Sequence, residues 1–103
     1  MIVDDQSFNI DALMIIIKYT VGLDSEKYCE SALSGHQALK LVKDDIEHQK
    51  SLGGPVSSKY NLIFMDCSMP EMDGPETTEM IRAYLYEQNL EQPIISAVTG
   101  HQE

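Results

Sequence analysis

The stretch IFMDCSMPEMDG, residues 63–74, decides how the chain is read. The apolar run that begins in NLIFM (61–65) ends on an acid, Asp66, and breaks at once into a loop carrying Pro70 and Gly74. A continuous apolar run is what a strand buried on both faces of a parallel sheet requires. Its acid then stands at the C-terminal end of the strand, the edge where open α/β sheets bind their ligands.

Outward from this strand, assigned to 60–66, the chain repeats the same unit. MIVDD (1–5) reads as a buried strand closing on Asp4 and Asp5. SFNIDALMIIIKYT (7–20) follows, with Phe8, Ile10, Leu13, Ile16 and Ile17 at helical intervals; Met14 and Ile15 widen the stripe, so this helix expects cover on more than one side. Gly22 ends it. A second strand falls within SEKYCESAL (25–33), and a second helix over 34–50 turns Ala38, Leu39, Val42 and Ile46 inward. SLGGPVSSK (51–59) reads as a mobile surface loop. Asp73 and Glu76 have the spacing of a cap and its partner, opening a helix to about Gln88 with Ile81 and Leu85 inward; PIISAVTG (93–100) is the fourth strand. Strand and helix alternate throughout, which argues for a parallel sheet with helices on both faces.

The 103 residues suffice for one small domain. Seven basic residues against 17 acidic ones give a net charge of −10, which disfavours direct nucleic-acid binding and favours cationic partners or metal ions. Cys29 and Cys67 lack metal-ligand spacing and read as reduced thiols of a cytoplasmic protein. The apolar run ALMIII (12–17) is too short to span a bilayer, so no direct membrane insertion is expected, although the domain could be one module of a larger membrane-anchored chain.

In a parallel sheet all C-terminal strand ends share one edge, so Asp4, Asp5, Asp66 and the Thr99 hydroxyl converge on one rim. Carboxylates that close repel unless a cation lies among them, and Mg²⁺ takes oxygen ligands of this kind. A carboxylate beside Mg²⁺ can also act as a nucleophile on phosphorus. The chain Asp73 reads as a cap, Cys67 as a side chain facing away from Asp66, and Met69 and Met72 as packing, with a docking surface left open for the last two.

VDD (3–5), MDCSMPEMDG (65–74) and AVTG (97–100), in this order at strand ends, resemble the receiver domain of two-component response regulators, and most closely the receivers of hybrid histidine kinases. SGHQAL (34–39) and PII (93–95) support the resemblance, which covers the whole chain. It implies a flavodoxin-like α/β three-layer sandwich and a domain spanning 1–103. It also implies Mg²⁺-dependent phosphorylation of Asp66, the phosphoacceptor, within a histidine-to-aspartate phosphorelay. Asp4, Asp5 and Asp66 would hold the metal with the backbone carbonyl of Ser68, and Thr99 would be the switch hydroxyl. The implied partner is a histidine kinase or a histidine phosphotransfer domain, and the domain phosphorylates and dephosphorylates itself rather than turning over as a stand-alone enzyme.

The sequence departs from the family after its fourth strand, where the family continues with a fourth helix, a fifth strand bearing a switch aromatic, a phosphoryl-pairing lysine and a fifth helix. The expectation is a truncated receiver whose uncovered sheet edge and helix 8–20 invite self-association. The alternative from another class is a phosphorylation-independent interaction module with a relic acidic site. A phosphohydrolase is weaker, because Cys67-Ser68-Met69 replaces the DxDxT pattern of those enzymes.

Overall fold

The computed structural model describes residues 1–22 and 24–98. Their element order is β1 (Ile2–Val3), α1 (Ser7–Ile16) continued by a π-helical turn (Ile17–Val21), α2 (Ser25–Tyr28), β2 (Ser31–Ala32), α3 (Gly35–Leu52), β3 (Leu62–Asp66), α4 (Gly74–Glu87) and β4 (Ile94–Val98). The four strands form one parallel sheet in the order β2-β1-β3-β4. The alternation predicted from sequence is therefore present, as an α/β fold of the flavodoxin-like kind.

Pleating divides the sheet into two unequal sides. Val3, Ile63 and Met65 face α3 and α4 and join a core with Ala38, Leu39, Val42, Ile46, Ile81 and Leu85. The other side meets α1 across a cavity of about 210 Å³ lined by Ile2, Phe64, Leu13 and Ile16. Only Ile10 of α1 is buried. Phe8, predicted to point inward, is 79% exposed, and Ile16 and Tyr19 are exposed too, as is Ile94 on β4. Each such side chain left in water forgoes about 1.5–3 kcal/mol of burial. The physical reason is that, among the described residues, the core gathers on the α3 and α4 side of the sheet and takes in no residue of α1.

One local reading narrows and two change. Within 25–33 only Ser31–Ala32 pairs as strand, because the Lys27 and Tyr28 N–H groups bond back to the Asp24 carbonyl at 3.1 and 3.0 Å and make a helical turn. Helix α1 loosens into a π turn before Gly22, in the left-handed conformation at φ 78°, closes it. The loop after α3 is pinned by that helix. The Gln49 amide bonds both the N–H (3.1 Å) and the carbonyl (2.6 Å) of Ser57, and Asp45 accepts from the Lys59 N–H at 2.9 Å. At the N-terminal rim Glu30 accepts from Tyr60 Oη at 2.7 Å and pairs with Lys59 Nζ at 2.9 Å. The Tyr60 bond, then Lys59, holds the Glu30 carboxyl below its ordinary value.

Helix α3 is capped at its start: Ser34 Oγ accepts from the Gln37 N–H at 3.0 Å, and Gln37 Oε1 accepts from the Leu33 N–H at 2.7 Å. Its first residue, Gly35, lies against the start of α4. A Cβ there would stand 2.1 Å from the buried Thr77 Oγ1 and 2.9 Å from the Met72 carbonyl oxygen. Alanine normally gains up to about 1 kcal/mol over glycine in a helix, but here backbone and a fully buried hydroxyl would have to move. Gly35→Ala is predicted to cost about 1–3 kcal/mol of stability in denaturant unfolding; an unchanged or raised midpoint would contradict this packing.

Candidate functional site

The site is assembled by strand register. Val3 pairs with Met65, so the next residues of the two adjacent parallel strands, Asp4 and Asp66, stand side by side at the C-terminal rim. Asp5 follows on the turn into α1. Oxygen atoms of Asp4, Asp5 and Asp66 all lie within 4.8 Å of one another. Asp4 and Asp66 are buried and Asp5 is half-buried. Among the described residues, no lysine or arginine forms an ion pair with any of the three.

Two of the three carboxylates, those of Asp4 and Asp66, are held by the chain around them. The Gln6 N–H donates to Asp4 Oδ1 at 2.9 Å, which turns the backbone into α1, and the Asn9 side-chain amide donates to the same oxygen at 3.4 Å. The Ser68 N–H donates to Asp66 Oδ1 at 3.3 Å. Burial pushes the Asp66 carboxyl above its ordinary value; the Ser68 N–H opposes this, and the charges of Asp4 and Asp5 add to the rise. Three converging oxygens without a cationic side chain make a hard, anionic site, and this donor chemistry fits Mg²⁺.

The loop behind Asp66 depends on a second close approach. A Cβ on Gly74 would stand 2.2 Å from the Asp66 carbonyl oxygen, and the Gly74 N–H bonds to the Cys67 carbonyl at 3.2 Å. Glycine thus lets the start of α4 press against the peptide that carries the acid. Asp73 caps the helix as predicted, accepting from the Glu76 N–H at 2.9 Å, and the Thr77 hydroxyl donates to the Asp73 carbonyl at 2.7 Å. Met69 and Met72 are buried, which favours packing over a docking surface. Cys67 turns to the opposite side of the sheet from the acids, toward a cavity of about 330 Å³ lined by Met65, Ile95 and Ala97.

The structure therefore brings together Asp4, Asp5 and Asp66, with Ser68 beside them. Thr99 lies outside the described residues. The residue before it, Val98, is in register with Asp66, and its carbonyl accepts from the Cys67 N–H at 3.2 Å. The sequence reading missed Asn9. A polar amide in the first helical turn after a paired acid was the available signal, and it was masked by the apolar pattern around it.

A family model described as the response regulator receiver domain matches residues 1–103. The histidine kinase CKI1 of Arabidopsis thaliana is 38% identical over 81 residues, 79% of this chain and 7% of that protein. The signal transduction histidine-protein kinase BarA of Escherichia coli K12 is 31% identical over 101 residues, 98% of this chain and 9% of that protein. The chain thus spans less than a tenth of the length of these two curated relatives. Among solved structures, the receiver domain of CKI1 complexed with Mg²⁺ and BeF₃⁻ matches with a TM-score of 0.70 and 34% identity, over 99% of this chain and 65% of that one.

Crowding at Asp66 sets a pH-dependent penalty. Because its carboxyl is raised in the folded protein, the ionised form opposes folding at neutral pH, and the penalty is relieved as pH falls through the folded value. Asp66→Asn is predicted to raise the thermal midpoint at pH 7 in the presence of chelator. The gain should fade as pH falls below the ordinary carboxylate range. A variant less stable than the parent at pH 7 would contradict the repulsion.

Proposed function

The chain belongs to the response regulator receiver domain family, and from that premise we propose that it is a phosphoacceptor switch of a histidine-to-aspartate phosphorelay, with Asp66 as the acceptor. The observation that carries the reading is the convergence of Asp4, Asp5 and Asp66 within 4.8 Å at the C-terminal rim of a parallel sheet. In this reading an Asp66 oxygen attacks the phosphorus of a phosphohistidine; the O–P bond forms as the P–N bond breaks, and the freed imidazole nitrogen takes a proton. The donor is a histidine kinase or a histidine phosphotransfer domain.

Asp4, Asp5, Asp66 and the Ser68 carbonyl would hold Mg²⁺, which when bound supplies positive charge against the carboxylates and the phosphoryl oxygens. The chain's own part is positional. The Ser68 N–H orients Asp66 Oδ1, and the Gly74 contact fixes the peptide behind it. Phosphorylation then adds roughly −1.5 to −2 charge at the rim, and the Thr99 hydroxyl is the group proposed to respond to it. No helix among the described residues is long and apolar enough to cross a membrane.

Intact-mass measurement after incubation with acetyl phosphate, with and without Mg²⁺, tests the proposal on this chain and on Asp66→Asn. The expected result is a gain of one phosphoryl group that needs Mg²⁺, is labile to acid and base, and is absent from the variant. A folded protein that gains none would favour an interaction module with a relic acidic site.

A further inference from the structure

Asp4 is the acid of the cluster with the most restrained carboxylate. Its two hydrogen bonds among the described residues fall on one oxygen, Oδ1: the Gln6 backbone N–H at 2.9 Å and the Asn9 Nδ2 at 3.4 Å. An ionised carboxylate only accepts, so the Asn9 amide must present its NH₂ group here. Asn9 is itself anchored, since it sits in the first turn of α1 with its own N–H on the Gln6 carbonyl at 3.0 Å. A carboxylate pinned at Oδ1 from two directions cannot rotate freely, and Oδ2 is left without a donor among the described residues.

We propose that Asn9 is a positioning residue for the metal site: by holding Asp4 Oδ1 it keeps Oδ2 available to a divalent cation shared with Asp5 and Asp66. This rests on the reading of the acidic cluster as a Mg²⁺ site. The chemistry of the amide matters. A neutral donor orients the carboxylate without cancelling its charge, whereas an ammonium in the same place would neutralise Asp4 and compete with the cation. Groups that orient metal ligands in this way typically contribute about 10–100-fold in affinity. A single neutral bond of 3.4 Å belongs at the lower end of that range.

The test is Mg²⁺ binding to the 103-residue chain by isothermal titration, with the thermal midpoint followed over the same Mg²⁺ series. Asn9→Ala is expected to weaken binding about tenfold. It should leave the metal-free midpoint equal or higher, since alanine is the stronger helix former on this exposed turn. Asn9→Gln, which keeps the amide donor, should recover most of the affinity. In the acetyl phosphate assay the Asn9→Ala defect should appear as a higher Mg²⁺ requirement that added Mg²⁺ overcomes. Wild-type affinity in Asn9→Ala, alongside a parent chain that binds Mg²⁺, would overturn the role of Asn9 and leave the phosphoacceptor reading intact. A parent chain that binds no Mg²⁺ would overturn both.

Discussion

The mutual repulsion of three carboxylates, forced together by the parallel pairing of β1 with β3, is the constraint on which the rest of the structure turns. Register leaves little choice: with Val3 opposite Met65, Asp4 and Asp66 must stand abreast, and Asp5 is one residue away. Their oxygens lie within 4.8 Å of one another, and burial with the neighbouring charges holds the Asp66 carboxyl up. A fold that tolerates this does so by orienting Asp4 and Asp66 with neutral donors, the N–H groups of Gln6 and Ser68 and the Asn9 amide, and, among the described residues, pairing its cations elsewhere. That arrangement is costly for stability and is chemically suited to a metal ion.

Packing is strongest behind Asp66. Behind Asp66, α4 approaches so closely that Gly74 has no room for a side chain, and α3 approaches α4 in the same way at Gly35. Both contacts lie on the side of the sheet that carries the core. Asp4 and Asn9 instead belong to the side served by α1, of which only Ile10 is buried. The peptide that carries Asp66 is thus braced by the better packed half of the molecule, while the side chains of Asp66 and Asp4 both lie toward the thinner half. Local opening follows the density of buried contacts, so the half-buried Asp5 on the turn into α1 is the part of the site most open to adjustment.

Much of this was legible in the sequence because the strongest signals are local. The apolar run into Asp66, the acids after IV, and the Asp73 cap each report on a handful of adjacent residues, and each is present in the structure. What was not legible depends on distant partners. The stripe of α1 predicted burial for Phe8 and Ile16, but exposure is decided by what lies over them. The second strand was placed within 25–33, but its two-residue extent is set by its pairing with β1. The tight contacts of Gly35 and the bond from Asn9 to Asp4 are tertiary facts, one requiring α4 and the other the twist of the chain into α1.

The central claim is that the three acids form one cation site. The most direct test is a crystal structure grown with Mn²⁺ in place of Mg²⁺, read by anomalous scattering. The account predicts one strong anomalous peak in coordination contact with Asp66 and with Asp4 or Asp5, together with the Ser68 carbonyl. A well-ordered rim with no peak, or Mn²⁺ found only at exposed surface acids, would contradict it.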